Sequence, residues 1–114
     1  GAVIGAVTPP PPPPPPSPPT PYGPDTCKAG FVWRDAIPGD HVCVTADRRT
    51  AAANENAMAG ARVDPTGPYG PNSCIAGFVW REAYVGDKVC VTLARRTQVH
   101  NENIQGPGNR VISP

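Results

Sequence analysis

The chain has 114 residues with ten basic and nine acidic side chains, a formal net charge of +1, 17% charged residues and 6% aromatic ones. That balance leaves no electrostatic footprint for nucleic acid or an anionic membrane, and no apolar run approaches the roughly 20 residues that span a bilayer. No nucleic-acid partner and no membrane span are therefore expected.

The chain begins at Gly1, as a processed or excised chain would, and a removed secretory leader would leave no trace. Residues 1–8 open with a short apolar, uncharged run, Gly-Ala-Val-Ile-Gly-Ala-Val. Residues 9–21 follow as a stalk in which eleven of thirteen residues are proline. Such a tract favours polyproline II, which has no internal hydrogen bonds. At about 3.1 Å per residue it would reach on the order of 40 Å as a semi-rigid spacer. Thr8, Ser17 and Thr20 are candidate O-glycosylation sites on composition.

The rest of the chain is a duplication of period 47. Pro-Tyr-Gly-Pro begins at Pro21 and again at Pro68, and 24 of the 36 positions from Pro21 to Asn56 recur in the second copy. Residues 22–66 form the first repeat module and residues 67–114 the second. Retained in both are Cys-x-Ala-Gly-Phe-Val-Trp-Arg, Gly-Asp, Val-Cys-Val-Thr, Arg-Arg-Thr and Asn-Glu-Asn. Fewer than 50 residues bury too little apolar surface to fold securely alone, so each copy needs a staple.

Within one copy, residues 31–36 alternate and are rich in strand formers, which predicts a strand. Pro38-Gly39 suits the centre of a type II turn, and residues 41–45 return as the second strand. Thr45 is placed to cap a helix with Asp47 in its first turn. The helix is expected over residues 46–61, and over residues 93–105 in the second copy, where Gly106-Pro107-Gly108 ends it. The fold class is a small α+β protein: two tandem β-hairpin-plus-helix (ββα) disulfide modules behind a polyproline stalk.

Four cysteines allow three pairings. The duplication favours Cys27 with Cys43 and Cys74 with Cys90, each bridge contributing about 3 kcal/mol. Zinc and free thiols are the alternatives. Zinc is disfavoured because no Cys-x-x-Cys pair exists and the nearby His41 becomes Lys88 in the second copy. No metal and no cofactor are expected. Disulfides point to an oxidising, extracellular or cell-surface location.

Phe31, Trp33, Phe78 and Trp80 are expected in the core, where aromatics give a small module much of its buried area. A sugar-stacking or docking surface is the other reading. Arg34 with Asp35, Arg81 with Glu82, and the aspartates of Gly39-Asp40 and Gly86-Asp87 are expected as exposed turn and rim pairs. Arg48-Arg49 and Arg95-Arg96 open the helices, where cations are disfavoured, so they need partners, with Glu55 and Glu102 about two turns on as candidates. Asn54-Glu55-Asn56 is expected to tie the helix to its hairpin. No catalytic residue stands out: His41 and His100 fall at unmatched positions, and no nucleophile motif or phosphate loop occurs. The chain is not expected to be an enzyme.

The run Gly23-Pro24-Asp25-Thr26-Cys27, then Gly30-Phe31-Val32-Trp33-Arg34-Asp35-Ala36, then Gly39-Asp40-His41-Val42-Cys43-Val44 resembles a short disulfide-containing repeat found in tandem in secreted bacterial proteins. Residues 70–91 look like a second member, and the repeats cover about three quarters of the chain. The resemblance implies an extracellular module and carries no activity, ligand or site with it. The proline stalk is also similar in composition to those of wall and surface glycoproteins.

Three functions from different classes fit. The first is a subunit of a self-assembling extracellular filament or surface layer, whose partners are copies of itself. Its N-terminal segment, with Ala2, Val3, Ile4, Ala6 and Val7 as interface candidates beside Trp33 and Trp80, would dock on a neighbouring subunit as an added strand. The second is a cell-wall or glycan-binding module. The third is a small secreted inhibitor or effector.

Overall fold

The structure, a computed structural model, describes residues 5, 8–13 and 19–112. The interface candidates Ala2, Val3, Ile4, Ala6 and Val7, and the glycosylation candidate Ser17, lie outside the described residues. Six regular elements follow in chain order: β1 (Val32–Trp33), β2 (Cys43–Val44), α1 (Ala46–Met58), β3 (Val79–Trp80), β4 (Cys90–Val91) and α2 (Leu93–Gln105). Each repeat is an antiparallel hairpin followed by a helix. Each carries its own bridge, Cys27–Cys43 and Cys74–Cys90. The fold is thus α+β with one disulfide per repeat.

The strands are shorter than the alternation predicts, and the turn residues explain why. Arg34 still donates its backbone N–H to Val42 at 2.8 Å, but Asp35 then takes φ 52° and leaves the extended region. Glu82 does the same at φ 57°. The chain reverses through the expected turn, with Gly39 at φ 90° and Asp40 N–H donating to Ile37 at 2.9 Å. Only glycine adopts that φ without strain.

Helix α2 has the predicted bounds. Helix α1 ends at Met58 and tightens into a 3-10 turn over Ala59–Arg62. Thr92 caps α2 by accepting from Arg95 N–H at 3.2 Å. Thr45 occupies the matching position on α1, but its hydroxyl donates to the Asp47 carboxylate instead. That bond holds the exposed Asp47 carboxyl below its usual pKa, helped by the Arg48 charge.

The two repeats interlock. The segment leaving α1 crosses to the second hairpin, where Val63 pairs with Cys74, and Ile75 N–H donates to Arg62 at 2.9 Å. The segment leaving α2 returns to the first, where Arg110 pairs with Cys27. There Lys28 N–H donates to Asn109 at 2.8 Å and Val111 N–H to Thr26 at 2.9 Å. Each helix exit is thus a strap across the other repeat.

The core between the repeats is built from equivalent small residues, Ala36 and Ala83 of the hairpins and Ala52 and Val99 of the helices. The expected aromatic core is not there. Phe31, Trp33, Phe78 and Trp80 are only half-buried, and small side chains fill the centre in their place.

What surrounds the small core is charge. Arg34 is 1% exposed and binds Asp40 of its own turn at 2.8 Å and Glu102 of the other repeat at 3.3 Å. Arg81 is also 1% exposed and binds Asp87 at 2.7 Å and Glu55 of the other repeat at 3.4 Å. Arg95 joins the two halves, reaching Glu55 at 2.8 Å and Glu102 at 2.7 Å. The expected rim pairs are therefore corrected. Arg34 and Arg81 turn inward, while Asp35 and Glu82, where the chain leaves the extended region, turn outward. There they meet Arg49 and Arg96, each at 3.0 Å. Burial alone would lower the Arg81 pKa, but Asp87 and Glu55 outweigh it and raise it, so the guanidinium stays charged. Burial, with the Asp87 charge, also raises the pKa of Tyr84, which packs on the core.

The asparagines tie helix to hairpin as expected: Asn56 donates to the Ala36 carbonyl at 2.8 Å and Asn103 to that of Ala83 at 3.1 Å.

The link between repeats is tight. Thr66 N–H donates to the Asp64 side chain at 3.1 Å, and Gly67 N–H donates to the Asp64 carbonyl at 3.0 Å. A Cβ on Gly67 would lie 2.3 Å from Ser73 Cβ. Ser73 is 1% exposed and cannot move aside, since its hydroxyl accepts from Tyr69 N–H at 2.9 Å and donates to the Gly70 carbonyl at 2.8 Å. Gly67→Ala should therefore cost about 1–3 kcal/mol through overpacking. Gly108→Ala, which meets nothing within 4 Å, serves as the control. Urea unfolding followed by circular dichroism checks this; equal midpoints for the two variants would refute the tight link.

Candidate functional site

The half-buried aromatics form one groove twice. In the first repeat Tyr22, Phe31, Trp33 and Arg49 line it. In the second the residues 47 positions on, Tyr69, Phe78, Trp80 and Arg96, line its counterpart. The short strands β1 and β3 hold each tryptophan, whose indole N–H is fixed by a backbone carbonyl. Trp33 donates to Asp25 and Trp80 to Asn72, both at 2.8 Å.

The Pro-Tyr-Gly-Pro turn places the tyrosine beside that ring. Tyr22 N–H donates to the buried Thr26 hydroxyl at 3.0 Å, as Tyr69 N–H does to Ser73. The ring centroids are then 5.0 Å apart for Tyr22 and Trp33 and 5.9 Å for Tyr69 and Trp80. Both tyrosines face outward, 66% and 76% exposed.

The other face of each indole is covered. His41 stacks on Trp33 with centroids 3.8 Å apart, and the Lys88 ammonium lies 3.5 Å from the Trp80 centroid. The His41 ring nitrogen Nδ1 is 3.0 Å from the Asp25 carboxylate, which Arg110 also approaches at 3.7 Å. A histidine–aspartate pair can serve acid–base chemistry. Its counterparts, however, are Lys88 and Asn72, and what the two repeats share is a cation or imidazole over an indole. The arrangement is a stacking cover that fixes the tryptophan.

The second groove is reinforced once more, by Arg62 with its guanidinium carbon 4.5 Å from the Phe78 centroid. Among the described residues no group of three or more His, Cys, Asp or Glu side chains is placed to hold a metal ion, and no helix is long and apolar enough to cross a membrane. His100 is exposed on α2. Thr8 is exposed, while Thr20 is half-buried and its carbonyl accepts from Gly23 N–H at 3.0 Å.

Sequence reasoning singled out Trp33 and Trp80 but not the tyrosines or Arg49 and Arg96 as their neighbours. The signal was present: each of these residues recurs at the same offset of 47. Of the candidate arginine partners, Arg95 does meet Glu55 and Glu102, while Arg48 stands 3.9 Å from Glu102. Compared with protein-family models, curated proteins and solved structures, the chain matches none.

Proposed function

We propose that this chain is a non-catalytic extracellular assembly subunit, a disulfide-braced head whose N-terminal segment docks on a neighbouring copy to build a filament or surface layer. The supporting observation is the duplicated aromatic groove. Rings half-exposed and fixed from behind give contact area at low entropic cost, as docking surfaces require. The two disulfides support an oxidising compartment. Sedimentation velocity of the full chain at rising concentration should show polymers that vanish on deletion of residues 1–20. A monomer at every concentration would refute the reading.

Because aromatic faces also stack on sugars, a wall-glycan module is the second reading. It gains ground if purified wall glycan retains the chain and Trp33→Ala with Trp80→Ala, still folded, is no longer retained.

A further inference from the structure

The two grooves differ in their lining residues. Pro21, the last residue of the proline tract, lines the first groove beside Tyr22 and Trp33. The chain's own proline therefore already lies at that aromatic surface. In the second repeat the counterpart Pro68 is not among the residues lining the surface formed by Tyr69, Phe78, Trp80 and Arg96, so that surface has no proline of its own against it.

The tract supplies what that surface fits. Polyproline II has no internal hydrogen bonds, so its carbonyls remain free to accept, and its prolines pack into aromatic-lined grooves at little entropic cost. The second groove offers ring faces and two donors, the outward Tyr69 hydroxyl and the Arg96 guanidinium. The latter gives only one nitrogen, Nη2, to Glu82. Residues 8–13 of the tract are exposed.

We infer that the groove of the second repeat binds the proline tract of another copy of this chain. The inference rests on the assembly reading and names its contact. One tract and one groove without a proline of its own per copy make a head-to-tail contact, which propagates as an open chain when the rotation does not close. The docking element is then the tract itself, with the apolar residues 1–7 carried past the groove.

The test uses the full chain and a synthetic peptide of residues 8–20. The protein has two tryptophans, and both line grooves, so intrinsic fluorescence reports occupancy directly. Excess peptide should shift that fluorescence and dissolve the polymers. Tyr69→Ala, at an exposed side chain whose backbone contacts remain, should abolish the fluorescence shift and weaken self-association about tenfold or more. Tyr22→Ala should change it less than about twofold. Polymers unaffected by Tyr69→Ala, or a peptide that changes neither signal, would overturn the inference. If leader deletion still dissolves the polymers in that case, assembly stands and only the groove is wrong. If the full chain never associates at any concentration, the assembly reading and the contact between copies fall together.

Discussion

Asp87→Ala is expected to destabilise the head by about 3–5 kcal/mol, the typical cost of stripping one partner from a buried ion pair. The carboxylate is 2% exposed and accepts four bonds. Two come from Arg81, at 2.7 and 3.3 Å, and two from the backbone N–H groups of Ala83 and Val89, at 2.9 and 3.2 Å. Truncation leaves a buried guanidinium that stays charged, because arginine does not give up its proton in proteins. It also leaves two backbone donors unpaired. A domain of this size holds only about 5–15 kcal/mol in total, so the loss should be visible as a large drop in urea midpoint. Asp40→Ala should cost less. Arg34 keeps Glu102, Asn103 and the Ala83 carbonyl as partners, at 3.3, 2.8 and 3.3 Å. Equal midpoints for wild type and Asp87→Ala would show that the buried network contributes nothing, and a reversed order would place its centre in the first repeat.

Removing a bridge should be comparably severe. Each disulfide joins cysteines 16 residues apart, and closing a loop of about that length contributes about 3 kcal/mol. Replacing either pair of cysteines by alanine should cost about that much, because each bridge also anchors a strap: Cys27 pairs with Arg110 after α2 and Cys74 with Val63 after α1. Thermal unfolding with and without dithiothreitol checks this. A reduced protein melting at the oxidised midpoint would sink the claim that the bridges brace the head.

Much of this architecture was legible in the residues. The offset of 47 exposed the duplication and with it the pairing of the cysteines, since a copied unit carries its own bridge. Pro38-Gly39 announced the turn, and Gly106-Pro107 announced the end of α2. The retained asparagines announced the tie to each hairpin.

Other features had no local signature. Ala59-Gly60-Ala61 carries no sharp stop, so the point where α1 tightens into its 3-10 turn could not be read. Arg34 and Arg81 sit next to acidic residues in sequence, which disguised them as surface pairs. Asp35 and Glu82 end each strand in left-handed backbone, a conformation aspartate visits more readily than most residues and glutamate does not. The tryptophans looked like core because a small module needs buried area. The interlocked repeats share that burden through alanine contacts, and this frees the rings for the surface. For the same reason the groove was only half visible: its members are scattered over the turn, the strand and the helix, and only the fold collects them.

The crossing of the helix exits bears on how the protein can exist at all. In each half of this chain the edge beside the first cysteine is completed by its sibling. Two separate halves could satisfy each other only as a symmetric couple, and there Arg48 and Arg95 would be the same residue, competing for one place between two glutamates. Joining the halves in one polypeptide resolves the contest: a single guanidinium takes the middle and its twin is released to the outside.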